Sequence, residues 1–174
     1  MISIRPEWVT EIINGHKTVE VRKTRPKLET PFKCYIYCTQ KSGQGCTNMW
    51  VKPINSRLRS YEALGKVVAE FTCDEIFDMW PGYIGNRGDD MLTFEEREEY
   101  LGERGHGYGW HISDVKIYDK PEIIKNFLQK PCDFAASCGA CVHSRWSEEN
   151  YHEFVGCSFE LKRPPQSWCY VEER

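Results

Sequence analysis

A chain of 174 residues has room for one domain with a real core, and its 40% hydrophobic and 13% aromatic content excludes a disordered polymer. The formal charge of −3 denies the surface as a whole a nucleic-acid footprint, so such binding has to use a local basic patch. No run approaches the roughly 20 apolar residues that span a bilayer, and the opening MISIRPEWVTEI carries charge from Arg5 without an apolar stretch, so no membrane span or secretory signal is expected and the protein reads as soluble and cytoplasmic.

In chain order, residues 6–14 read as a short helix. Pro6 suits a first turn, Trp8, Ile12 and Ile13 share a face, and Gly15 suits the end. Residues 17–23 have period-two character and β-branched residues, as in a strand. Residues 24–31, with two prolines, read as a loop, and FKCYIYCT (32–39) as a strand. KSGQGCT (41–47) is a polar turn, and GKVVAEFTCD (65–74) is the clearest strand. Residues 80–90 form a glycine-rich loop. Residues 93–102 read as a helix, with Thr93 as cap, Glu96 three residues on and Gly102 as stop. Residues 105–110 read as a second glycine-aromatic loop, HISDVKIY (111–118) as a strand, 121–127 as a helical turn and SWCYV (167–171) as a closing strand. Five strands, two short helices and long loops predict an α+β fold: one small β-barrel flanked by short helices, residues 1–174 forming a single domain.

The charged stretch GHKTVEVRK (15–23) admits two readings. On a strand, Glu20 and Arg22 share a face, and Lys17 joins them only if the chain bends, which Gly15 permits. Arg22 then offers a planar fork for phosphate or a base edge, Lys17 a mobile charge, and Glu20 an acceptor for an exocyclic amine. A chemical version makes Glu20 a general base on water and Lys17 the stabiliser of an oxyanion. The plain alternative is an exposed strand with a salt bridge worth about 0–1 kcal/mol.

The nine cysteines are odd in number and follow no signal, which argues against a secreted disulfide scaffold. Cys132, Cys138, Cys141 and Cys157, with His143 as an alternative ligand, fall in a segment (130–158) that lacks hydrophobic periodicity. Cys138 and Cys141 form C-x-x-C, whose thiolates can converge on one tetrahedral ion, so a structural zinc would explain how the segment folds. Reduced, partly buried thiols or a redox pair are the alternatives. Cys34, Cys38, Cys73 and Cys169 lie on predicted strands as small core residues. Arg87, Arg104, His106, Tyr108 and Trp110, in the two glycine loops, are the types that contact or stack on bases, although Trp110 also suits the core. Neither loop matches a phosphate-binding motif. Ser167, on the closing strand, faces the cleft if the last strand lies beside the first.

The order of a short helix, then G-x-K-x-x-E-x-R (Gly15, Lys17, Glu20, Arg22), then a strand pair and G-K-V-V-A-E-F resembles the ASCH domain of the PUA-like superfamily of RNA-associated β-barrels. The ending PPQSWCYVEE (164–173) resembles a phage and prophage subgroup. The resemblance covers roughly residues 1–120 and 160–174, leaving the cysteine-rich segment as an insertion before the last strand. It implies binding of RNA, a nucleotide or a modified nucleoside in a cleft beside the first helix, at Lys17, Glu20 and Arg22, to which the loop and closing-strand readings add Arg87, Tyr108 and Ser167 as candidate ligand contacts. If the chain is phage-encoded, it also implies a host protein as a further partner. One bacterial branch hydrolyses N4-acetylcytidine with a threonine where this chain has Glu20 and a lysine where it has Lys17. Glutamate there removes the hydroxyl nucleophile, so the implied alternative is a hydrolase of a modified nucleoside or of RNA that uses Lys17 and Glu20 without a covalent intermediate.

Overall fold

The computed structural model describes residues 1–40, 49–51, 59–61, 63–129 and 161–173. In chain order the elements are β1 (Ile2–Ile4), α1 (Pro6–Ile13), β2 (Val19–Arg22), β3 (Phe32–Cys38), β4 (Met49–Val51), β5 (Arg59–Tyr61), β6 (Lys66–Cys73) and β7 (Ile76–Met79), then α2 (Phe94–Leu101), β8 (Gly107–His111), β9 (Ser113–Glu122), β10 (Phe127–Gln129) and β11 (Val171–Glu173). A four-stranded sheet has the order β1-β3-β6-β9 and a three-stranded sheet the order β2-β8-β7; β4–β5 and β10–β11 form two-stranded ribbons. The predicted segment 41–47 and the cysteine-rich segment 130–158, with all its candidate metal ligands, lie outside the described residues.

The expected barrel is corrected by this topology. Among the described residues no ladder joins an edge of one sheet to an edge of the other. The chain passes between the sheets at Ile112, which separates β8 from β9. The free edge of β1 is met by residues 167–169 instead. Ser3 N–H donates to the Ser167 carbonyl and Cys169 N–H to that of Met1, both at 2.9 Å, around a single bridge between Ile2 and Trp168. Of the predicted closing strand 167–171, Trp168 makes the single bridge to β1, and Val171 instead opens β11, which pairs with β10.

Residues 107–110 of the predicted loop 105–110 are also corrected, to strand β8, which pairs with β2 and β7. The glycines that suggested a loop mark one face of that strand. A Cβ on Gly109 would come within 2.6 Å of the Phe77 ring, and one on Gly107 within 2.7 Å of the Arg22 carbonyl. The other face carries Tyr108 and Trp110. Trp110 is fully buried, edge-on to Phe32 at 5.8 Å. Strand alternation is present, but glycine occupies the positions where β-branched residues would announce it. The short strands β1 and β7 were not anticipated either, and His111 ends β8 while β9 begins at Ser113.

α1 and α2 match their predicted positions. Pro6 opens α1, and Val9, Ile12 and Ile13 bury its apolar face in a core shared with Ile2, Ile4, Ile36 and Phe71. Thr93 and Glu96 form the capping box of α2, the Thr93 hydroxyl accepting from Glu96 N–H at 3.1 Å and the Glu96 carboxylate from Thr93 N–H at 2.8 Å. No helix among the described residues is long and apolar enough to cross a membrane.

Candidate ligand-binding cleft

The geometry begins at the end of α1. Gly15 takes φ +76°, a left-handed conformation open to glycine. The N–H groups of His16 and Lys17 then both donate back to the Glu11 carbonyl, at 2.9 and 3.1 Å. The chain is bent before β2 begins at Val19, so Lys17 is not on the strand. Its ammonium reaches Glu20 Oε2 at 3.5 Å and donates to the Asp90 carbonyl at 2.5 Å.

β2 then alternates. Val19 and Val21 pack against Phe77, Met79 and Leu101. Glu20 and Arg22 take the other face, where Arg22 Nη2 meets Glu20 Oε1 at 2.9 Å and donates to the Ser3 carbonyl at 2.6 Å. Arg22 Nη1 lies 3.5 Å from Ser167 Oγ, and Ser167 is placed there by its backbone bond to β1. Lys17 is 2% exposed, Glu20 7% and Arg22 7%. Three charged side chains this deeply buried are rare and demand partners. Two buried donors find no hydrogen-bond partner among the described residues, Arg22 Nε and Trp110 Nε1.

These residues form the floor of a cleft of about 830 Å³. α1 and its approach contribute Arg5 and Trp8, α2 contributes Glu96, Glu99 and Tyr100, and the C-terminal segment Pro164 to Ser167 closes the rest. Lys17 Nζ lies 5.2 Å from the centre of the Trp8 ring, and Lys23 Nζ 5.3 Å from that of Tyr100. Asp90 is itself buried and clamped by Arg97, whose Nε and Nη2 donate to its carboxylate at 2.7 and 3.1 Å while Nη1 donates to the Pro81 carbonyl. The hydrogen bonds with Asp90 raise the Arg97 pKa further. That clamp fixes the carbonyl to which Lys17 is tied. Behind the site, burial pushes the Cys34 thiol up to about 11, the N-terminal ammonium and Arg22 opposing it.

The structure therefore brings together Lys17, Glu20, Arg22 and Ser167. Arg87 and Tyr108 do not line this cleft. Arg87 is paired with Glu75 and lies 5.2 Å over the Phe77 ring, where exposed ion pairing and ring contact satisfy it. Tyr108 faces Arg22 across the β2–β8 ladder and packs on His106. Sequence reasoning placed Trp8 on the apolar face of α1 and Glu96 in the α2 cap, and missed Tyr100, Glu99 and the Asp90–Arg97 pair as parts of the cleft. The spacing of Glu96, Glu99 and Tyr100, three and four residues apart on α2, carried a signal for one shared face. Nothing in sequence linked Asp90 to Lys17. Among the described residues no group of three or more His, Cys, Asp or Glu is placed to hold a metal.

The family model for the ASCH domain matches residues 2–155. The chain belongs to the ASCH domain family. Crystal structures of the ASCH protein of Zymomonas mobilis share its fold. The unmodified protein is 17% identical over 71% of each chain, with a TM-score of 0.50. A tyrosine-to-phenylalanine mutant of it is 16% identical over 71% of this chain and 73% of that one, also with a TM-score of 0.50. No curated protein matches the chain. In this ASCH domain the family match runs into the cysteine-rich segment, further than the resemblance of its motifs alone.

Proposed function

We propose that the cleft beside α1 binds RNA or a nucleotide, with Lys17, Glu20 and Arg22 as its polar floor and Ser167 at its edge. The observation that carries the reading is the burial of Lys17, Glu20 and Arg22 together on the floor of a cleft whose lining includes the Trp8 and Tyr100 rings. Polar groups converging in a concave site beside aromatic rings are the pattern of a small-ligand or base-binding site. Glu20 supplies an acceptor and Lys17 and Arg22 donors, the combination that reads a polar base edge. The test is a fluorescence titration with short single-stranded RNA at two salt concentrations. Affinity should fall with salt and be lost in Lys17→Ala/Arg22→Ala. Binding that the double substitution leaves intact would remove the cleft from the account, and a chain indifferent to RNA altogether would point to a protein partner such as a host factor.

A second reading rests on the 3.5 Å contact between Lys17 and Glu20 inside the cleft. Glu20 would take a proton from water, the hydroxide would add to the acyl carbon of an N4-acylcytidine, and Lys17 would stabilise the oxyanion. The C–N bond then breaks as the protonated Glu20 returns its proton to the departing exocyclic amine, and the carboxylic acid is released. Turnover should vanish in Glu20→Gln while binding persists. For the cysteine-rich segment the reading is a structural zinc held by Cys132, Cys138, Cys141 and Cys157, with His143 as an alternative ligand. Its support is the C-x-x-C spacing.

A further inference from the structure

The outer edge of β7 contributes nothing to the cleft. β7 ends the three-stranded sheet β2-β8-β7, and among the described residues it pairs only with β8. Just before the strand, His111 N–H donates to the Glu75 carbonyl at 2.9 Å. Antiparallel pairs alternate, so Phe77 and Met79 spend their backbone groups on β8, and Ile76 and Asp78 turn theirs outward. Among the described residues no hydrogen bond reaches those outward groups. An uncovered edge of this kind is a template for another strand. Apolar surface continues from its end. Trp80 is 47% exposed, Phe94 49% and Ile84 99%. The Trp80 ring stands edge-on to Tyr83 at 5.1 Å, and Tyr83 stacks on Phe77 of β7 at 5.5 Å. A Cβ on Gly82 would lie 3.9 Å from both Trp80 and Phe94, so the two exposed rings flank one spot.

The edge is also acidic. Asp74 and Glu75 precede β7 and Asp78 lies within it, all three carboxylates reaching solvent, and Glu95 follows Phe94 at the start of α2. Of their partners only Arg87, on Glu75, is a permanent cation; His111 on Asp74 and His106 on Asp78 are charged only when protonated. Two copies paired along β7 would bring these carboxylates together, and like charges opposite one another weaken a ladder. A basic strand would meet them favourably and leave self-pairing suppressed. We propose that the outer edge of β7 is a docking site for a partner protein that adds one extended, basic strand to the three-stranded sheet. Its backbone pairs with Ile76 and Asp78, its lysines or arginines face Asp78 and Glu75, and an apolar side chain covers Trp80 and Phe94.

The experiment selects binders of the full chain from random dodecapeptides by mRNA display, then titrates the enriched peptides by fluorescence anisotropy. They should alternate lysine or arginine with apolar residues and bind wild type. Asp78→Lys, which reverses the charge of the edge, should weaken them about tenfold or more. Trp80→Ala should weaken them too, by removing the apolar contact. Asp78→Pro should abolish binding, because it removes an outward N–H that β8 does not use. Should Asp78→Pro fail to fold by circular dichroism, amide exchange read by NMR gives the same answer: bound peptide should slow exchange at Ile76 and Asp78 in wild type. No enriched peptide, or peptides that bind Asp78→Lys and Trp80→Ala as tightly as wild type, would overturn the proposal. So would bound peptides that leave exchange at Ile76 and Asp78 unchanged. A wild-type dimer in sedimentation that Asp78→Lys dissociates would make a second copy the occupant and overturn the basic partner.

Discussion

Glu20→Gln is the most informative single substitution, because it removes the one anion between two buried cations. Glu20 lies 3.5 Å from the Lys17 ammonium and 2.9 Å from the Arg22 guanidinium, with all three side chains nearly sealed from water. At an effective dielectric near 20, each contact carries roughly 5 kcal/mol of Coulomb attraction before the cost of burying the charges. The net worth of such a pair is much smaller, but removing one partner leaves uncompensated buried charge and costs about 3–5 kcal/mol. Here glutamine also leaves Lys17 and Arg22 facing each other without a counter-ion. A kilocalorie moves the melting temperature of a domain this size by about 2–4 °C, so thermal unfolding followed by circular dichroism should show a midpoint lower by roughly 6–20 °C. Lys17→Met/Glu20→Gln should recover a substantial part of that loss, because it leaves one cation that the Ser3 carbonyl still holds. A loss in Glu20→Gln below about 1 kcal/mol, the range of an exposed pair, would refute the reasoning and return the stretch to an ordinary solvated strand.

Four further outcomes follow from particular contacts. Arg97→Ala should free the Asp90 loop and expose Lys17, seen as faster labelling of its amine by an acylating reagent mapped by mass spectrometry; Arg97→Lys should restore little, since a lysine cannot make the two-point contact with Asp90. Unchanged labelling in a folded Arg97→Ala would break the proposed link. Burial would raise the Glu70 pKa, but the Tyr118 hydroxyl with Lys33 and Lys116 outweigh it and hold it below its ordinary 4.5. Its stabilisation is therefore present above pH 4.5 and lost as pH falls through the lower folded value, so the stability gap between wild type and Tyr118→Phe, about 0.5–1.5 kcal/mol near neutrality, should shrink on acidification; a gap that widens in acid would contradict the assignment. Cys34, Cys38 and Cys73 have thiols pushed up by burial to about 11, 12 and 12, so a disulfide reagent at pH 8 should spare them until the protein unfolds. Elemental analysis of protein purified without chelator should find zinc near one equivalent; less than about a tenth would sink the proposed cysteine site.

Local order was legible in the sequence where chemistry and periodicity agreed. Pro6, Gly15 and the apolar spacing between them specify α1, and Thr93 with Glu96 specifies the start of α2. The alternation in residues 32–39 and 65–74 specifies β3 and β6 as central strands. The motif at Gly15, Lys17, Glu20 and Arg22 likewise pointed to the family that the chain belongs to. Strand β8 was illegible because glycine stands at the positions that pack on Phe77 and approach Arg22, so close packing there looks like flexibility when read as composition.

Only the tertiary structure decided how the sheets close and which charges meet. Sheet closure depends on pairing between strands far apart in sequence, and the bridge of residues 167–169 along β1 replaces the ladder that a barrel would need. Lys17, Glu20 and Arg22 are neighbours in sequence, so their grouping could be read in advance. Asp90, Arg97 and Tyr100 join them from distant segments. Hydrogen bonds and burial select such partners by position in space, which a one-dimensional pattern does not record.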